Sequence, residues 1–141
     1  MKIIRDVLSV SLLSSGLFGI AVLVNDKWLW SVALSHAYGL IGFVFIDLVL
    51  VGATLKRVGL AAFAAAFLAV LQFGAMLADL LAGAPMGTPS AAFRNYLLSD
   101  SSYLGLLFIQ IAIAIVSIGG LAAPRFQRRV RLSSLPHFPR H

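Results

Sequence analysis

Four stretches of the chain are nearly free of charge, and the polar residues inside them recur at helical spacing. The stretches cover about 7–24, 29–55, 58–81 and 103–123. A helix rising about 1.5 Å per residue needs about twenty residues to cross a hydrocarbon core about 30 Å thick, so each stretch predicts a membrane span. Lys2 and Arg5 ahead of the first would also suit a secretory signal, but its length and the lack of a small-x-small site before Asn25 favour a retained helix. Only Lys56 and Arg57 part the second stretch from the third, which predicts a tight helical hairpin. The fourth runs into Pro124, where an unbroken helical ladder is expected to end.

At 100° per residue the polar positions align. In the second stretch His36, Asp47 and Thr54 share one line with Leu40, Phe43 and Leu50. In the third, Gln72, Met76 and Asp79 continue the line of Ala61, Ala65 and Leu68. Tyr103, Gln110, Ala114 and Ser117 align in the fourth, and Ser11, Ser14, Ser15 and Phe18 in the first. Lipid tails offer no hydrogen-bond partner, so these stripes should turn toward one another, helped by small residues at four-residue intervals such as Ser11, Ser15 and Gly19. The predicted fold class is an all-α integral membrane protein, with four transmembrane helices in an up-down bundle. Counted by depth, His36, Gln72, Met76, Asp79 and Gln110 should meet in the outer half, with Asp47 standing apart as a deep acidic residue.

Composition excludes the alternatives. Of 141 residues 60% are hydrophobic and 11% charged, which fits neither a soluble domain of this size nor a disordered chain. The absence of cysteine rules out disulfides, thiolate metal sites and thiol nucleophiles. Four crossings put Lys2, Arg5, Lys56, Arg57, Arg125, Arg128, Arg129, Arg131 and Arg140 on one side, and only Lys27 and Arg94 on the other. The positive-inside rule then places both termini in the cytoplasm of a cell whose plasma membrane holds the protein. Trp28, Trp30, Tyr96 and Tyr103 mark the outer interface.

Residues 82–102 form the outer loop: Gly83, Pro85, Gly87 and Pro89 break regular structure, and Ser90 is expected to cap a short surface helix through Leu98, unless the segment is an ordered loop. Residues 124–141 read as a basic cytoplasmic tail, in which Arg125, Arg128, Arg129 and Arg131 either hold anionic lipid head groups or only enforce topology. The pI of about 10.6 follows from that topology and not from a nucleic-acid partner.

A charge near the centre of a span costs about 2.5–3.5 kcal/mol on insertion scales, so Asp47 should be neutral, paired, hydrated or satisfied by another chain. Its structural reading is a bond to Ser or Thr across the bundle, or to a basic residue of a partner; its functional reading is a proton or cation relay with His36 and Asp79. His36 and Met76 lie at similar depth and make a minor case for haem ligation, but no second histidine lies in a span, since His137 and His141 fall in the tail. No other metal-ligand spacing occurs, there is no Glu, and carboxylate pairs, phosphate loops, dinucleotide fingerprints and nucleophilic triads are missing. No cofactor and no catalysis by this chain alone are expected. The expected role is a non-catalytic accessory or assembly subunit of a larger membrane complex, for which an energy-transducing assembly would be suitable. The alternative is a homo-oligomeric proton or cation transporter using His36 and Asp47. Expected partners are the bilayer and other membrane subunits, or further copies of the chain.

Overall fold

The computed structural model describes residues 2–83 and 89–133, except for the side chains of Val32 and of 123–133. The described elements are all helical: α1 (Lys2–Asn25), α2 (Lys27–Val32), α3 (Leu34–Lys56), α4 (Val58–Ala82), α5 (Ser90–Ser99) and α6 (Ser101–Ser133). Helices α1, α3, α4 and the Ser101–Ala122 part of α6 are long and apolar enough to cross a membrane.

Three expected boundaries move. The second stretch is two helices, because Asp26 starts α2 by accepting from the Leu29 N–H at 2.9 Å, and Ala33 leaves helical geometry at φ −125°, ψ 49°. A capping carboxylate satisfies a donor that a helix start leaves free, so the chain can restart there. The long helix that could span a membrane is therefore Leu34–Lys56, and Trp28 and Trp30 belong to the short helix before it. Pro124 does not end α6, whose backbone stays helical to Ser133. Proline removes one N–H and crowds the carbonyl four residues back, which can be absorbed as a local kink. Arg125, Arg128, Arg129 and Arg131 lie on that helical continuation, but their side chains are outside those described, as are residues 134–141 altogether. Finally Pro89, extended at φ −60°, ψ 130°, holds the cap position of α5, and Ser90 is its first helical residue. Pro85 and Gly87 fall outside the described residues.

Around the bundle α1 packs on α3 and α6, and α4 packs on α6 and α3, the last contact being the least extensive. Side-chain pairs such as Ser9 with Thr54 and Ser15 with Asp47 show α1 and α3 running antiparallel. Early α6 against late α4, as in Tyr103 with Met76, shows the same for that pair. The order is thus up-down, each long helix lying beside its neighbours in the chain.

Close approach comes from small residues. A Cβ on Gly19 would lie 2.6 Å from Val44 Cγ2, so only glycine lets α1 sit this near α3. Ala61, Ala65 and Ala69 are buried within the chain, the last two in a core with Leu8, Leu12 and Ile113. A second core of Val22, Met76, Phe93, Leu97, Tyr103 and Leu106 lies under α5, so α5 is seated on the end of the bundle. Outward faces carry Phe45, Phe63, Phe67, Phe108 and Ile115, which suit acyl chains.

Candidate functional site

Midway along the bundle, three helices contribute to one hydrogen-bonded network. Ser15 of α1 donates its hydroxyl to Asp47 Oδ2 of α3 at 2.6 Å, and Gln110 Nε2 of α6 donates to the Ser15 oxygen at 2.8 Å. Asp47 is 1% exposed. Nearer the termini, Thr54 donates to the Val51 carbonyl at 2.7 Å, which leaves Ser9 as donor in the 2.7 Å contact between the two hydroxyls. Gln110 therefore joins Asp47 and not the expected outer cluster. The reason is the shifted boundaries: with α3 starting at Leu34 and the last span at Ser101, Asp47 and Gln110 both lie near mid-helix.

The other end of the bundle, beneath α2 and α5, has different chemistry. His36 Nε2 and Asp79 Oδ1 are 3.1 Å apart, linking the first turn of α3 to the last turn of α4. The expected inward burial of His36 does not hold. Because α3 begins only two residues earlier, the histidine sits at the helix end with its side chain 52% exposed. Tyr103 donates to the Met76 carbonyl at 2.7 Å, pinning α6 to α4.

Above them Tyr96 of α5 donates to Asp26 Oδ1 at 2.5 Å, the same oxygen that caps α2. Trp28 lies over Phe93 and Tyr96 with ring centroids 5.3 and 5.6 Å away. Burial pushes the Tyr96 phenol above its ordinary range, and the hydrogen bond to Asp26 and the charges of Asp26 and Asp100 push it further the same way. This clasp combines α2 and α5 into a cover.

Under the cover lies a cavity of about 410 Å³, enclosed by α3 and α4 and backed by Val22 of α1 and Tyr103 and Leu106 of α6. His36, Gln72, Met76 and Asp79 all line it, so four of the five residues expected to cluster do so and Gln110 does not, while Asp47 lies apart from the cavity as expected. Most of the wall is apolar, from Leu29, Leu40, Phe43, Phe93 and Leu97. Gln72 is 2% exposed, and its Oε1 has no hydrogen-bond partner. For haem, Met76 faces the cavity, but the His36 Nε2 that would bind iron is already opposed by Asp79. Among the described residues no three His, Asp or Glu side chains gather as a metal site would require.

Sequence spacing did not disclose Ser15 as the shared partner, nor the Asp26–Tyr96 clasp. The one available signal was Asp26 standing just before an apolar run, which is the pattern of a helix cap. No family model matches the chain, and comparisons with curated proteins and with solved structures give no match. Chemically, the site can enclose a small molecule with a largely apolar body, with the Gln72 side chain in its wall and a His–Asp pair at the rim.

Proposed function

We propose that this chain is a non-catalytic accessory subunit of a larger membrane complex, and that it holds a small lipid-soluble molecule in the cavity under α2 and α5. The cavity carries this reading. Its walls are mostly apolar, a few polar groups border it and aromatic side chains cover it, the make-up typical of small-molecule sites. The asymmetry of basic residues supports cytoplasmic termini in a plasma membrane, with the cavity in the outer half. The arginines on the continuation of α6 suit anionic head groups on the opposite face.

The same residues support a proton or cation path less well. Asp47 is enclosed by Ser15 and Gln110 and is not among the residues lining the cavity, so His36 and Asp47 belong to separate polar sites. The test is purification from native membranes in mild detergent, followed by native mass spectrometry. Companion membrane chains and a small-molecule adduct are expected. A chain that travels alone at its bare mass would refute the proposal.

A further inference from the structure

The only unpartnered polar atoms among the buried, described side chains are Gln72 Oε1 and Ser117 Oγ. They are not equivalent. A serine hydroxyl in a helix can turn and donate to a carbonyl of its own preceding turn. A carboxamide oxygen can only accept, and must be given a donor from outside. A buried acceptor without one costs about 1–3 kcal/mol, and lipid provides no water to relieve it. Gln72 borders the cavity with its oxygen turned away from the open volume, so a donor entering there reaches it once the carboxamide turns toward the cavity.

We infer that the cavity takes a neutral, lipid-soluble amphiphile with a hydroxyl head, an alcohol or a phenol, seated with that hydroxyl donating to Gln72. This rests on the ligand-holding role proposed above and specifies its chemistry. The walls select the class. Asp26, His36 and Asp79 line the cavity, but among the described residues no Lys or Arg does, so a phosphate or carboxylate head would meet acceptors and no fixed positive charge. An ammonium head at the depth of Gln72 would lie desolvated without a carboxylate beside it, since Asp79 is engaged with His36 at the rim. An apolar body fits against Leu40, Phe43, Met76 and Leu106.

The route in is lateral. Ser35 and Gly39 of α3 and Ala75 of α4 line the cavity while being exposed on the flank of the bundle, where the α3–α4 contact is least extensive. A Cβ on Gly39 would meet nothing within 4 Å. A molecule dissolved in the membrane can therefore reach the cavity between these helices without crossing the α2–α5 cover.

The cavity contains its own reporter, Trp28, and Trp30 is the only other tryptophan, so the Trp30→Phe protein isolates it. In lipid nanodiscs that protein would be titrated with 4-hexylphenol, with 1-decanol, and with 4-hexylanisole, which keeps the phenol's shape but has no donor. Saturable change of Trp28 emission is expected, with at least one hydroxyl probe binding about tenfold more tightly than the ether, the effect of one desolvated hydrogen bond. Whether the phenol or the alcohol binds better identifies the source. Gln72→Leu should bring hydroxyl and ether probes within about twofold of each other. Gly39→Leu should slow the approach to saturation without removing the preference. Should Gln72→Leu fail to fold, the wild-type comparison and Gly39→Leu still decide. If all three probes bind the Trp30→Phe protein equally well, the hydroxyl assignment is overturned while the ligand-holding role stands. If none saturates, both fail.

Discussion

Ser15→Ala removes one hydroxyl that serves two buried groups. Asp47 Oδ2 loses its donor at 2.6 Å and Gln110 Nε2 loses its acceptor at 2.8 Å, and the methyl side chain gives neither a substitute. Stranding a buried polar group costs about 1–3 kcal/mol in water-soluble proteins. Interhelical hydrogen bonds in lipid average about 0.6 kcal/mol and reach about 1.7, because the unfolded chain also finds partners within the membrane. Two such bonds broken at one point give an expected loss of about 1–3 kcal/mol. Asp47→Asn, which keeps the shape and an acceptor for Ser15, should cost less than about 1 kcal/mol. Unfolding in mixed micelles of mild detergent and dodecyl sulfate, followed by helical circular dichroism, would measure both. A cycle combining Ser15→Ala with Gln110→Leu should show coupling of about 0.5–1.5 kcal/mol, since the residues share a bond. Independent effects, additive within about 0.3 kcal/mol, would mean that the network does not exist.

Other expectations follow from separate parts of the molecule. Gly19→Val places atoms where Val44 already lies and should reduce stability by about 1–3 kcal/mol in the same unfolding assay; an unchanged midpoint would show that α1 and α3 are not so close. Tyr96 should ionise above the ordinary tyrosine value of about 10, so the clasp to Asp26 is fully present below that pH and weakens as pH rises beyond it. Near-ultraviolet circular dichroism of Trp28 should follow this alkaline transition in wild type, and Tyr96→Phe should lose it. Replacing Arg125, Arg128, Arg129 and Arg131 together by Gln should weaken association of the solubilised protein with anionic vesicles, by about 1 kcal/mol per charge near the surface; unchanged partition would assign these arginines to topology alone.

The four long apolar helices and their inward faces are legible in the sequence because a single rule suits both, apolar residues outward and polar groups satisfied within. Asp47, Gln72, Gln110 and Ser117 are all buried where helical spacing put them. Partner choice was less legible, because it depends on axial register, and register depends on where helices begin. The Asp26 cap and the break at Ala33 start α3 five residues later than its apolar stretch suggests, which brings Asp47 and Gln110 to a common depth near mid-helix. The same late start leaves His36 at a helix end and not in the interior. Phe18 shares the inward stripe by spacing, but it is partly exposed at the margin, where its ring covers Gly105. The cavity could not be seen from periodicity at all, since an empty volume depends on how far α3 and α4 diverge, and neither sequence records that distance alone.

The most direct measurement is an experimental density map of the protein taken from its native membrane without delipidation. Continuous non-protein density beneath Trp28, reaching Gln72 and opening between Gly39 and Ala75, is the expected result. Helices α3 and α4 closed against each other, with Phe43 and Met76 filling the space and a side chain of the protein itself bonded to Gln72, would contradict it.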